Sequence, residues 1–276
     1  SRGAWPRRGR RAAAGKMAVE AAAVADRLPV SLEVQAIADK GQALVTRTPI
    51  ALGQVILSES PALAVDQVTA EPTLPELQAW ADAFAALGSD AREAVLGLWC
   101  PPMAADGCAL ARLLGRSGER AGQLMRCPAG VTEEELWKLL RIVECNSFQV
   151  PTPSGAIRVE LLCKIARLNH SCLPNALRGP GSLPGTVEVR ALRPIAEGEE
   201  LTISYVDEEL LLSPTAERRA AMSGQWQFRC GCARCAAPDA LRAFRCGPAC
   251  GGQLLFASSA RLCACGRCGR AAGEGE

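Results

Sequence analysis

The stretch NHSCLPN, residues 169–175, holds the only histidine of the chain, His170, two positions before Cys172. There is also one tyrosine, Tyr205. Chemistry that needs an imidazole or a phenol therefore has one candidate of each. His170 beside Cys172 admits three readings: half of a Cys–His nucleophilic pair, a metal ligand, or a packed imidazole. Fourteen cysteines sharpen the choice. FRCGCARC sets Cys230, Cys232 and Cys235 at CxC and CxxC spacing, which gathers thiolates from a tight turn and suits tetrahedral zinc. Three thiolates leave one ligand to come from elsewhere in the fold. A second group follows, Cys246 and Cys250, then Cys263, Cys265 and Cys268. Two pairs around the strand-like GGQLLFAS read as a zinc ribbon over 244–269. Its ligands would be Cys246, Cys250, Cys265 and Cys268, with Cys263 spare. Cys100, Cys108, Cys127, Cys145 and Cys163 show no pairing pattern and read as core residues.

The elements that must position these groups change character along the chain. Over 30–65, VSLEVQAI, ALVTRTP and GQVILSESP alternate β-branched with polar residues between Gly and Pro, which predicts strands and turns. Over 72–145, ELQAWADAFAALG, AREAVLGLW and TEEELWKLLRIVE carry apolar residues three and four apart, which predicts helices. Thr132 and Glu135 have capping-box spacing, and Asp90 with Glu93 reads as a second capping pair. From 146 to 205, SFQV, GAIRVELL, TVEVRAL and ELTISYV return to strand character, bracketed by PTPSG, GPGSLPG and AEGEE. The tail, 226–269, is rich in Cys and Gly. No internal repeat is present. Short strands without βαβ alternation predict a β-rich α+β fold and argue against a dinucleotide-binding sheet.

Charge narrows the function further. Six of the 31 basic residues lie in 1–16 with no acid among them, leaving 25 against 29 acidic. A mildly acidic body speaks against nucleic acid as the direct ligand. The basic head has three readings: a transit segment, a disordered arm, or upstream sequence ahead of a start at Met17. Residues 1–27 therefore read as a basic head, disordered or non-native, that lies outside the fold. No run of about eighteen apolar residues is present, so no membrane span is expected. No secretory signal is visible, so clustered cysteines point to metal rather than disulfides. The expected location is cytoplasmic or nuclear, or an organelle if the head is a transit segment.

NHSCLPN, GEELTISYVD (198–207) and FRCGCARC, in that order, resemble the SET-domain protein lysine methyltransferases, closest to the SET-and-MYND (SMYD) branch. KGQALVTRTPIALGQVILSESP (40–61) resembles that family's opening strands, and CNSFQV (145–150) the segment before its core motif. The resemblance covers 30–236 and implies a SET fold, small twisted sheets with a pseudoknot, over 30–207. A helical insertion would occupy 72–145, and a post-SET zinc segment 226–236. It further implies that NHSC is threaded with the tyrosine segment beside a pocket for S-adenosylmethionine. Asn169 and His170 would hold the cofactor mainly through backbone contacts. Lys40, Gly41 and Gln42 would cradle it, Asn146 would contact it or the channel wall, and Phe228 would stack on it or line the channel. Cys172 would complete the zinc set with Cys230, Cys232 and Cys235. A Cys–His nucleophile is then excluded, because a zinc-bound thiolate is not a free nucleophile.

The implied reaction is in-line methyl transfer from a sulfonium to the ε-amine of a lysine in a protein, histone or non-histone. Deprotonating a lysine of pKa about 10.4 near neutral pH costs about 4 kcal/mol. A neighbouring sulfonium and a dry channel both lower that pKa. What remains is alignment and oxygen acceptors around the moving methyl, with Tyr205 as the hydroxyl that contacts the cofactor and acts in catalysis. The expected state is a monomer with no membrane partner. The alternative function is a catalytically weak SET module serving as a zinc-stabilised interaction domain. It is motivated by departures from the family: Ala43 where a second glycine is usual, and Leu162, Ala166 and Arg167 where an aromatic, a serine and an apolar residue are frequent. The insertion also lacks the CxxC pairs of a MYND finger, and the second cysteine cluster stands where larger members carry a helical domain.

Overall fold

The computed structural model describes residues 30–37, 40–67, 72–100, 125–152, 155–246, 250–256 and 264–270, with backbone only for 240–245 and 253–256. The basic head, Cys108 and Cys263 lie outside the described residues, as does 101–124 of the helical segment.

The first strands form because apolar and polar residues alternate from Leu32 onward. β1 (Leu32–Ile37) pairs antiparallel with β2 (Gly41–Thr46), from Leu32↔Thr46 to Ile37↔Gly41. The turn closes through Lys40 N–H to Ile37 O at 3.1 Å, and Gly41 takes φ +77°, a conformation that favours glycine. β3 (Val55–Glu59), β8 (Ala176–Pro180) and β9 (Val187–Ala191) make an antiparallel sheet in the order β3-β9-β8. β4 (Leu63–Gln67), β5 (Ser147–Pro151) and β6 (Ile157–Leu161) make another in the order β4-β6-β5. The chain is thus a β-rich α+β fold of small antiparallel sheets, as its strand pattern predicts.

Among the described residues, three helices lie between β4 and β5. α1 (Leu74–Ala85) starts at a Thr73–Glu76 capping box with proline in its first turn. α2 (Ser89–Leu96) is capped by Gly88 without a side-chain hydrogen bond. Asp90 lies inside its first turn and accepts from Ser89 Oγ at 3.0 Å, so Asp90 and Glu93 do not form the expected capping pair. α3 (Glu133–Asn146) has the reciprocal box: Glu135 N–H donates to Thr132 Oγ1 at 3.2 Å and Thr132 N–H to Glu135 at 2.8 Å. These helices bury Trp80, Phe84, Leu139 and Ile142 against Val159 and Leu161. A second core, with Ile56, Leu57, Leu168, Val189 and Ile203, lies within the remaining sheets.

After these come α4 (Glu208–Leu211), α5 (Thr215–Gln225), α6 (Ala233–Ala236) and a hairpin of β11 (Asp239–Arg245) with β12 (Gln253–Phe256). The α5 helix has no apolar stripe to announce it, because it buries Thr215, Arg218 and Met222. Among the described residues no helix is long and apolar enough to cross a membrane.

Candidate functional site

The site is built where two short segments run side by side. β7 (Asn169–His170) and β10 (Thr202–Ile203) pair in parallel, Thr202↔Asn169 and Ile203↔His170, and Ser171 N–H extends the contact to Ile203 O at 3.0 Å. Parallel pairing needs the strands brought from distant sequence, and two side chains hold them. Asn175 is 2% exposed; its amide donates to Glu200 O (2.8 Å) and Glu199 Oε1 (3.0 Å) and accepts from Thr202 N–H (2.8 Å). Glu59, at the end of β3, accepts backbone N–H bonds from Lys164 at 2.9 and 3.1 Å and Ile165 at 2.9 Å. It thereby holds the 3₁₀ turn Ile165–Arg167 that leads into β7.

His170 answers the question its position raised. Its Nδ1 accepts the Tyr205 N–H at 3.0 Å, and its Nε2 lies 3.3 Å from Cys172 Sγ. A nitrogen that accepts from a backbone N–H carries no proton, so the neutral ring holds its proton on Nε2, facing the sulfur. Burial holds its pKa down to about 4, with Cys232 opposing and Arg218 adding to the shift. The ring is a buried spacer that ties the Tyr205 backbone to Cys172.

Tyr205 follows β10 rather than lying in it. Its hydroxyl donates to Leu168 O at 2.7 Å, and its ring sits 5.4 Å from those of His170 and Trp226 and 6.4 Å from Phe228, edge-on to the last. Burial, and then the charge of Glu200, push its pKa up, so the hydroxyl stays protonated at neutral pH. It borders a narrow cleft of about 40 Å³ with Asn146, Ser147, Phe148, Ala166 and Trp226. Phe228 packs beside Trp226 in the small core around Cys172 and Met222. The Asn146 amide donates to Trp99 O and Ile142 O, both at 2.8 Å, and so ties the end of α3 to the end of the α2 segment.

Beside this cleft is a polar cluster. Asn169 donates to Gln42 O at 3.2 Å and Glu200 Oε1 at 2.9 Å, Lys40 pairs with Glu200, and Arg167 Nη1 donates to Gln42 Oε1 at 2.5 Å. The structure therefore brings Lys40, Gly41, Gln42 and Asn169 together at one turn and Tyr205 and Asn146 to the neighbouring cleft, with Phe228 behind Tyr205 rather than in the cleft lining. Ala43 is fully buried, with its methyl in the protein interior. Pattern reading did not assign Asn175, Glu200 or Trp226 to the site and took Arg167 only as a departure from the family. Asn175 closes NHSCLPN and Glu200 lies in GEELTISYVD, which were the available signals, and Trp226 had none.

The cysteines gather in two quartets. Cys172, Cys230, Cys232 and Cys235 have all their Sγ atoms within 4.8 Å of one another, as do Cys246, Cys250, Cys265 and Cys268. Sulfurs bound at about 2.3 Å on the corners of a tetrahedron lie about 3.8 Å apart. The first quartet has contacts of 4.0 Å (Cys172–Cys230) and 3.5 Å (Cys172–Cys235). The second has 3.6 Å (Cys246–Cys268) and 3.8 Å (Cys250–Cys265). Both donor sets fit a tetrahedral thiophilic cation. Hydrogen bonds from Cys172 and Cys230 are the main cause that lowers Cys235 to about 6, while bonds from backbone N–H groups lower Cys265 to about 6. Gly252 is required at the second quartet, since a Cβ there would lie 2.6 Å from Cys265 Sγ. Of the other cysteines, Cys145 is buried but Cys127 is exposed, so the expectation that it is a core residue is corrected. Its thiol finds a local acceptor, Val131 O, at 2.9 Å.

Comparison with known proteins adds to this geometry. A family profile described as "SET domain" matches residues 41–206, more than half of the chain. The chain is 38% identical over 109 residues to human histone-lysine N-methyltransferase SMYD3, covering 38% of this chain and 24% of the relative. It is 33% identical over 107 residues to Mus musculus histone-lysine N-methyltransferase Smyd1, covering 34% and 21%. It is 36% identical over 106 residues to Danio rerio N-lysine methyltransferase SMYD2-B, covering 37% and 23%. The matched stretch thus spans less than a quarter of each relative's length.

Proposed function

The chain belongs to the SET-domain family, and from that premise we propose that it transfers a methyl group from S-adenosylmethionine to the ε-amine of a lysine in a protein substrate. The names of its SMYD relatives support lysine methyltransfer in general. The SET domain is taken as 30–207 with its helical insertion, followed by the post-SET segment 226–236 and the ribbon 244–269.

The residues present fit the cofactor. A ligand carrying both an ammonium and a carboxylate suits a turn that offers cations (Lys40, Arg167) beside a carboxylate (Glu200), with Asn169 between. Gly41 has nothing within 4 Å of where a Cβ would lie, so its backbone is open to approach. S-adenosylmethionine supplies an electrophilic methyl on a sulfonium. Lys40, Gln42 and Asn169 would hold it, and the Trp226–Phe228 pair would close over it or line the channel. Tyr205, kept neutral, orients the incoming amine and its surroundings through hydroxyl and ring and does not act as a base. Two zinc ions, one in each quartet, would fasten the C-terminal segments.

The observation that carries this reading is the convergence of Asn169, Tyr205 and the Cys172 quartet on one parallel strand pair. The test is calorimetric titration of the zinc-loaded chain with S-adenosylmethionine. One-to-one binding, weakened about tenfold or more in Asn169→Ala, is expected. A folded, zinc-containing chain that binds no cofactor favours the interaction-module reading instead.

A further inference from the structure

Arg218 is 0% exposed, the most buried cation among the described residues. Its Nη1 donates to Ser213 O at 2.5 Å, and its Nη2 to Thr215 Oγ1 at 3.0 Å and Cys235 Sγ at 3.6 Å. It makes no ion pair with a carboxylate among the described residues, and its Nε has no hydrogen-bond partner. A guanidinium removed from water at such a position is strongly unfavourable unless an anion lies beside it. The group able to carry negative charge that it contacts is Cys235 Sγ of the first quartet.

Two further arginines converge on the same quartet through the carbonyls of three of its cysteines. Arg219 donates from Nε to Cys230 O and from Nη2 to Cys235 O, each at 3.0 Å. Arg234 donates from Nη1 to Cys172 O at 3.1 Å and from Nη2 to Leu211 O at 2.5 Å. Four thiolates around a divalent cation leave a net charge of −2, in a buried place. One guanidinium against the sulfurs and two against the ligand backbones offset that charge and fix the directions from which the sulfurs approach. At the second quartet, Arg267 contacts Cys265 Sγ through its backbone N–H at 3.4 Å.

We infer that Arg218, supported by Arg219 and Arg234, is the built-in counter-ion of a tetrathiolate metal centre, and that it couples that centre to the aromatic wall of the cleft. The coupling is through α5. Arg218 lies at the end of the helix's first turn, and the helix ends at Trp226, whose ring sits 5.4 Å from that of Tyr205. Arg218 is a positioning residue, since it touches the ligand sulfurs and not the reacting groups. This inference rests on the zinc reading of the first quartet and extends it.

The experiment uses the whole chain, loaded with Zn²⁺ for affinity and with Co²⁺ for spectroscopy, and compares wild type with Arg218→Met, Arg218→Lys and Arg219→Met. Chelator competition should show Zn²⁺ held about 10–100-fold more weakly by Arg218→Met, with partial recovery in Arg218→Lys. A nearby cation stabilises the sulfur lone pairs, so its removal should move the thiolate-to-Co²⁺ charge-transfer band to longer wavelength while the coordination number stays four. A role in packing alone would not shift that band. Arg219→Met, whose guanidinium is half-buried, should fold and show a smaller shift in the same direction, which keeps the test decisive if Arg218→Met does not fold. Unchanged affinity and an unshifted band in the variants overturn the counter-ion role while leaving the zinc reading standing. A wild-type first quartet that takes up no metal overturns both.

Discussion

At the scale of single residues, the environment of Tyr205 decides what it can do. Its pKa is raised by burial and then by the negative charge of Glu200, so a phenolate base is unavailable near neutral pH. Tyr205→Phe is expected to leave cofactor affinity within about twofold, since Lys40, Gln42 and Asn169 lie outside the cleft, and to lower turnover about 100-fold, the scale on which a single transition-state hydrogen bond acts. Undiminished turnover would remove Tyr205 from the chemistry. In wild type the rate should rise with pH through 8 and 9 as the target amine loses its proton, with no fall from tyrosine ionisation in that range. The sign for stability is also fixed: because the folded pKa lies above that of a free tyrosine, the stabilisation is fully present below about pH 10 and is lost as pH rises through the folded value. Much of this site was legible beforehand. The thiols of Cys230, Cys232 and Cys235 announced themselves by spacing, and His170 and Tyr205 by rarity. Arg218, Asn175 and Glu59 did not, because the sulfur that Arg218 meets lies 17 positions away and the partners of Asn175 and Glu59 lie 24 to 106 away, and a polar residue with a remote partner leaves no local pattern.

At the scale of elements, the pairing of β7 with β10 is only two residues long, so side chains must supply what ladder hydrogen bonds cannot. Glu59 does so from β3 by accepting backbone N–H bonds from Lys164 and Ile165. Glu59→Ala would leave those buried donors without their acceptor, and a loss of about 2–4 kcal/mol is expected. The check is a denaturant titration in which the midpoint falls while the slope is unchanged. A loss below about 0.5 kcal/mol would show that water replaces the carboxylate and that the turn before β7 holds itself. The helices divide in legibility for the same kind of reason. α1 and α3 carry capping boxes and apolar faces packed on a sheet, so periodicity finds them. The α5 helix faces inward with Thr215 and Arg218, and its burial is organised around thiols rather than aliphatic groups. Its sequence, TAERRAAMSGQ, has a single large apolar residue, Met222, to mark its inward face. Asp239 accepts Thr215 N–H at 2.8 Å and so caps α5 from the start of the next hairpin, another link that only the fold discloses.

At the scale of the whole molecule, the two quartets should behave as separate units with unequal reach into the cleft. The first shares a small core with Trp226 and Phe228 and is tied to Tyr205 through His170. The second closes the β11–β12 hairpin, whose main contacts are internal, and Gly252 and Cys246 pair across it through Cys246 N–H to Gly252 O at 2.9 Å. Binding of a metal that requires the folded arrangement stabilises that arrangement by mass action, so each quartet should stabilise the elements it gathers. Wild type is therefore expected to contain two zinc ions per chain by elemental analysis. A Cys246→Ser, Cys250→Ser double variant should contain one and keep its S-adenosylmethionine affinity within about twofold, as distant and independent sites do. Cys235→Ser should also contain one, the other one, but lose cofactor affinity about tenfold or more, because the segment bearing Trp226 and Phe228 is no longer pinned. If the hairpin variant loses cofactor binding as fully as Cys235→Ser, the two quartets form one cooperative unit and the ribbon is part of the cofactor lid. If wild type holds a single zinc, the quartet that lacks it is a thiol cluster without a metal, and a Co²⁺ titration of the metal-free chain should then show thiolate charge-transfer absorption saturating at one equivalent.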